Sequence, residues 1–288
     1  MTVDVLLQGV ISGLLMGFVY ALIAAGLSLI FGLMEIVNFA HGEFLMLAMF
    51  GSFWAWSLWR LDPLVSLPLT AALLFLLGIA TYHGLIRWVL GAPMLAQVFA
   101  TFGLAIFLRA AAQALWGVDF HLVKDPLVQG RVSLGGLFIG LPQLVASVGA
   151  LCAFGFLNWF ISRTETGLAL QATAQDRQAA SLMGIDTQRM FALGWGVGAA
   201  CVGVAGALLT IFFYVFPDVG ATFALLAYVT VALGGFGNVL GTLVPGVVVG
   251  LVEVLGGLLI APALKYVAVF VIYLAVVLWR PQGLFGRF

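Results

Sequence analysis

The stretch Val5–Met34, VLLQGVISGLLMGFVYALIAAGLSLIFGLM, contains no charged residue from end to end. A helix needs about 20 apolar residues to cross the hydrocarbon core of a bilayer, and this stretch exceeds that. The preceding MTVD has no basic cluster, so the run reads as a retained span and not as a cleaved leader. Similar runs follow at Phe44–Trp59, Leu64–Ile86, Leu95–Trp116, Leu134–Ile161, Met190–Phe216, Ala221–Phe236, Val239–Ile260 and Ala263–Trp279. The pattern predicts an all-α, polytopic integral membrane protein with about nine transmembrane helices, in a range of 8–10, built as a single transmembrane domain over residues 1–288. The run from Ala221 is short and ends in glycines, which suggests a broken or re-entrant helix.

Composition supports this reading. Of the 288 residues, 64% are apolar and only 8% are charged, against about 25% charged in a soluble domain. So few charges cannot cover a water-facing surface of this size, so the bilayer is the natural solvent. In lipid every backbone N–H and C=O must be paired within the protein, which leaves helices or a closed barrel. Long unbroken apolar runs favour helices over the short alternating segments of a barrel. The net charge is zero, and with no basic patch there is no footprint for nucleic acid. Cys152 and Cys201 both lie inside apolar runs and read as buried core residues without a disulfide.

Orientation follows from the loop cations. The longest polar loop, residues 162–189, carries Arg163, Arg177 and Arg189, and the C-terminus carries Arg280 and Arg287. Placing both in the cytoplasm also puts Arg87 inside, and leaves Arg60, Lys124, Arg131 and Lys265 outside. Nine crossings then place the N-terminus outside; eight or ten would place it inside. Two stretches, IVNFAHGEFLMLAMFG from Ile36 and ALGGFGNVLGTLVPG from Ala232, each combine a polar, glycine-bearing break with an apolar helix that runs outward. They suggest an internal duplication of parallel sense.

Three groups of residues stand out. Glu35, Asn38, His41 and Glu43 lie together between two apolar runs, beside Gly42. Ionisable groups at membrane depth are costly and usually functional. They read either as a polar cap at a helix end, with Asn38 as N-cap, or as the lining of a path or gate. Glu253 is a lone carboxylate deep in an apolar run, facing the bundle interior or a water-filled cavity. Arg109 falls late in its run, where a snorkelling side chain would reach the interface. The loop from Glu165, ETGLALQATAQDRQAASLMGIDTQRM, reads as a short helix stopped by Gly184, with Asp186 or Thr187 capping the next span. It reads as a docking surface or as a plain connector. Glycines spaced by four, Gly9, Gly13 and Gly17, then Gly246 and Gly250, mark close helix packing, within the chain or between subunits. Neither a catalytic constellation nor a set of metal ligands is evident. Lysine occurs only at Lys124 and Lys265, and neither follows a glycine, so no Gly-Lys-Ser/Thr phosphate loop exists. Any ATPase that drives this chain must be another chain.

Together, Tyr20–Leu47, Gly167–Met190, Ala227–Glu253 and Val277–Arg287 resemble the branched-chain amino acid permease family, in particular its shorter, H-type permease. The resemblance covers nearly the whole chain. It implies a type II-like ABC importer permease in the bacterial inner membrane, a transport subunit and not an enzyme. The implied partners are a second, related permease in a heterodimer, two cytoplasmic ATPases that hold the ATP and Mg²⁺, and an extracytoplasmic substrate-binding protein. It also implies a coupling helix in residues 162–189, with Ala172, Asp176, Ala180, Gly184 and Ile185 at the ATPase contact. Gln175-Asp176-Arg177 departs slightly from the family pattern, and the linker Ile86–Gln97 is shorter and less basic than in many members. Members carrying urea or short amides look much alike. A secondary transporter working without ATP is the remaining alternative.

Overall fold

A computed structural model describes residues 3–134 and 136–286; the Arg287 counted among the cytoplasmic cations lies outside the described residues. In chain order the helices are α1 (Val3–Met34), α2 (His41–Trp59), α3 (Pro63–Thr81), a π turn (Tyr82–Ile86) that carries α3 into the single turn α4 (Arg87–Val89), and α5 (Met94–Trp116). A hairpin of β1 (Arg131–Leu134) and β2 (Leu137–Gly140) precedes α6 (Leu141–Arg163). Then come the short α7 (Glu165–Gln175) and α8 (Arg177–Leu182), α9 (Thr187–Thr210), α10 (Val219–Gly234), α11 (Leu243–Leu259) and α12 (Lys265–Trp279). Every apolar run of the sequence holds one helix. Seven helical segments among the described residues are long and apolar enough to cross a bilayer. The other two are α2, which carries His41 and Glu43, and α10, which has only 16 residues.

The run Leu134–Ile161 is not helical at its front. Its first residues belong to the β hairpin, where Gly136 takes φ 92°, a conformation that glycine adopts at no steric cost. Gln8 holds the hairpin against α1 by accepting the Phe138 N–H at 2.8 Å.

Helix α1 is the axis of the bundle and packs against α6, α9, α10 and α11. Its glycines lie inside the chain. A Cβ on Gly250 would stand 2.4 Å from the Gly13 carbonyl oxygen, and one on Gly246 2.7 Å from Ala21. The two backbones touch along α1 and α11, which gains dispersion contact where lipid offers no hydrophobic drive. Helix α3 packs on α9 in the same way, with Gly78 against the Trp195 carbonyl. Helices α5 and α12 stand at the periphery and expose most of their surface.

The two ends of the bundle are distinct. At one end Tyr82 donates to Gln188, α7 meets the end of α1, and the C-terminal tail returns so that Leu284 N–H bonds the Leu233 carbonyl at 2.7 Å. At the other end His121 and Val215 exchange two backbone hydrogen bonds at 2.9 Å, and Asp62 accepts from Leu64 and Leu127 N–H. Arg177 and Arg189 lie at the first end and Lys124 and Arg131 at the second, which makes the first end cytoplasmic under the positive-inside rule.

The tight pair Gly13–Gly250 gives a test. Valine at position 250 drives side-chain atoms into the α1 backbone, and overpacking costs about 1–3 kcal/mol or more. Gly250→Val is expected to lower the melting temperature in detergent and broaden the gel-filtration peak. Gly155→Ala, where a Cβ meets nothing within 4 Å, is expected to leave both unchanged.

Candidate functional site

Residues 35–40 break the first pair of helices. Helix α1 ends where Glu35 takes the left-handed conformation, φ 56°, with its N–H bonded to the Phe31 carbonyl. The chain then runs back beside α1, and α2 starts level with Ile23, whose carbonyl accepts from His41 Nε2 at 2.9 Å. That level is about three helical turns before the end of α1. Irregular backbone at such depth must find partners inside the protein, and it does. The Val37 carbonyl accepts from Thr101 Oγ1 at 3.1 Å, and the Asn38 carbonyl accepts from Tyr228 Oη at 2.6 Å. Asn38 is not the N-cap of α2. Its Oδ1 accepts from Ala40 N–H at 3.1 Å, a local turn one step earlier, and Ala40 occupies the cap position. Glu35 stands apart from the group, exposed at the end of α1.

Buried Gly42, at the start of α2, meets Gly220, at the start of α10. A Cβ on Gly42 would lie 2.2 Å from the Gly220 carbonyl oxygen. Two helix N-termini thus meet inside the bundle, each a focus of partial positive charge. Glu43 lies at this meeting point, with Oε2 beside Gly220 and Oε1 hydrogen-bonded to Arg109. The Arg109 Nε lies 3.7 Å from Asp218 Oδ1, just ahead of α10. Arg109 therefore does not snorkel to the interface. It reaches sideways from α5 and joins α2 to α10 as the centre of a Glu43–Arg109–Asp218 network.

Glu253 is buried between α1 and α12. It accepts from Tyr20 Oη on one oxygen and from Lys265 Nζ, at 2.7 Å, on the other. It is a paired carboxylate that ties three helices together, and its Lys265 partner descends from the outer end of α12. Gly9, Gly13 and Gly17 line α1 opposite Gly246 and Gly250, away from Glu43.

The cytoplasmic loop is two helices and not one. Asp176 ends α7 and caps α8, accepting the N–H groups of Gln178 and Ala179 at 2.8 and 2.9 Å. Gly184, at φ 86°, stops α8, and the Ile185 N–H closes back on the Ala180 carbonyl. Asp186 then caps α9 through Arg189 N–H. Ala180 is buried, and Ala172 and Ile185 are half-buried, so these three brace the loop. Asp176 and Gly184 are exposed. The tip itself is apolar and bare: Leu182 is 87% exposed and Met183 83%. Sequence reading passed over both, because two apolar side chains in a helical stretch look like a buried face until the turn at Gly184 throws them outward.

An apolar groove of about 570 Å³ runs between α3, α6 and α9, lined by Phe75, Phe156, Phe160, Leu193 and Val197. It suits an acyl chain better than a charged solute. Cys201 is buried, whereas Cys152 is exposed on α6, and neither is in a disulfide. The core reading of Cys152 fails because an outward apolar position in lipid looks like a core position in sequence.

Comparison with known proteins adds to this geometry. The family described as "Branched-chain amino acid transport system / permease component" matches residues 9–277. The chain is 30% identical to the high-affinity branched-chain amino acid transport system permease protein BraD of Pseudomonas aeruginosa, over 98% of this chain and 96% of that one. It is also 30% identical to the corresponding LivH protein of Escherichia coli over the same shares, and 27% identical to a probable LivH of Methanocaldococcus jannaschii over 92% and 88%. No solved structure matches the chain.

The Glu43–Arg109 pair yields a sharp expectation. Removing one partner of a buried ion pair typically costs about 3–5 kcal/mol, because the other charge is left uncompensated. Glu43→Gln and Arg109→Gln are each expected to lower thermal stability in detergent markedly, and the double variant to recover part of the loss. Strictly additive effects in this cycle contradict the pairing.

Proposed function

The chain belongs to the branched-chain amino acid transport permease family, and on that premise we propose that it is the inner-membrane subunit that forms half of the translocation path of an ATP-driven importer for branched-chain amino acids. The observation that carries this reading is the α7–α8 loop. A folded element, with Asp176 capping the start of α8 and Gly184 turning the chain at its end, holds two apolar side chains out into water. Bare apolar groups on a rigid support mark a protein contact. In this reading Leu182 and Met183 fit a hydrophobic recess on a cytoplasmic ATPase, Asp176 and Gly184 set the shape of the knob, and Ala172, Ala180 and Ile185 hold it against the bundle.

ATP and Mg²⁺ belong to the ATPase pair, and this chain supplies only motion. The loop continues directly into α9, and α9 packs on α1, α2 and α3. A push on the knob is therefore delivered to α2, which carries Glu43. Transport is driven only if the two pore states differ in their contacts with the ATPases. A second permease supplies the other wall, and an extracytoplasmic binding protein delivers the amino acid. Asn38, His41, Glu43 and Glu253 act as supports of the path or gate, since each is buried and engaged with neighbouring helices.

The test begins with the tagged chain purified in mild detergent. Two ATPases and a second permease are expected to travel with it. Leu182→Asp with Met183→Asp is expected to leave the chain inserted and folded but to cut binding-protein-stimulated ATP hydrolysis at least tenfold. Recovery of the chain alone across several detergents, or full stimulation in the double variant, overturns the reading.

A further inference from the structure

Arg109 and Asp218 are not fully buried. Their side chains are 34% and 61% exposed, against 3% for Glu43. Both lie at membrane depth. Arg109 sits two turns inside the outer end of α5, and Asp218 lies two residues before Gly220, which touches Gly42. A charged side chain facing hydrocarbon is costly even on the mildest scale. The face that carries both groups therefore does not look onto lipid tails.

The surroundings are of mixed character. Phe39 packs against Phe102 of α5 and Tyr228 of α10, with ring centroids 6.4 and 5.5 Å apart, and so forms a floor between the two helices. Phe102, Ile106 and Leu225 stand exposed on the same two helices. A guanidinium, a carboxylate and an apolar surface complement a zwitterion with a hydrocarbon side chain. Arg109 gives Glu43 one hydrogen bond and has further N–H groups to offer. Its contact with Asp218, at 3.7 Å, is loose enough to be exchanged.

We propose that the face shared by α5 and α10 lines the translocation path, and that Arg109 and Asp218 form a passing station for the substrate, holding its carboxylate and its ammonium group respectively. The proposal rests on the permease reading and names where the path runs. Binding there is weak by construction. Arg109 and Asp218 already have each other as partners, so the amino acid only exchanges partners. A path needs that property, because a tight site would hold the solute.

The experiment uses the full complex in membrane vesicles, in a Cys152→Ser, Cys201→Ala background. Single cysteines are placed at Phe102 and Leu225, which are exposed and leave the ion pairs intact, and at Phe156 on α6 as a lipid-facing control. A charged, membrane-impermeant thiosulfonate is expected to label Phe102→Cys and Leu225→Cys, and free leucine to slow that labelling at least threefold. Phe156→Cys is expected to react only with a lipid-soluble maleimide. Adding Asp218→Asn is expected to keep the labelling but abolish protection by leucine, and Arg109→Lys, which keeps a positive charge beside Glu43, to weaken that protection without removing it. Failure of the charged reagent at both positions, or leucine protection that persists in Asp218→Asn, overturns the proposal. The same vesicles are scored for bound ATPase. Absence of ATPase counts against the permease reading, whereas ATPase present with unlabelled cysteines counts against the station alone.

Discussion

Two helix N-termini pressed together inside a membrane are an unfavourable arrangement, and much of this molecule follows from making it bearable. Gly42 and Gly220 bring the backbones of α2 and α10 within contact, closer than any side chain allows. Both ends carry unsatisfied N–H groups and partial positive charge. Glu43 supplies the compensating negative charge at the contact, and Arg109 balances Glu43 in turn. Asp218 completes the set ahead of α10. Taking away Glu43 leaves both helix ends and Arg109 without their counter-charge, and taking away Arg109 leaves Glu43 buried alone. The glycine contact and the ion network are therefore parts of one solution.

The broken helices also explain the long supports around them. A chain that leaves α1 at Met34 and starts again beside Ile23 exposes several backbone groups, and side chains from α5 and α10 reach over to take them. Thr101 and Tyr228 do this for Val37 and Asn38. A second break, after α10, follows a related course. Gly32 lies against Gly237, and Thr242 Oγ1 lies 3.4 Å from the Ala21 carbonyl, so α2 and α11 both start beside the middle of α1. Helices that begin in mid-membrane can shift at their free ends while α1 stays fixed, which is the kind of motion a gate needs.

Much of the architecture was legible in the sequence because lipid imposes a simple rule. A run without charge is a span, and all nine runs hold helices. The hydrophobic signal fails where the rule stops applying. It placed Leu134 at the head of a span, because it cannot tell a short hairpin at the surface from the start of a helix. It gave Cys152 and Cys201 the same environment, since lipid-facing and core positions have the same composition. The candidate site was half legible. Asn38, His41 and Glu43 stood out as polar groups in an apolar stretch. Their partners Arg109, Asp218 and Tyr228 lie 66 to 190 residues away in the chain, and no local pattern joins them. Lys265 was read only as a loop cation, although it is the counter-charge that explains Glu253.

In the proposed mechanism a cytoplasmic knob at Leu182–Met183 drives a path running along the α5–α10 face. The most direct measurement is an electron cryomicroscopy structure of the complex that co-purifies with this chain, in lipid nanodiscs. Each ATPase is expected to sit on a permease loop, with Leu182 and Met183 of this chain in an apolar recess, and the face bearing Arg109 and Asp218 to turn towards the second permease across a water-accessible passage. A structure with that face against lipid acyl chains, or with the α7–α8 tip free in solvent while an ATPase binds elsewhere, contradicts it.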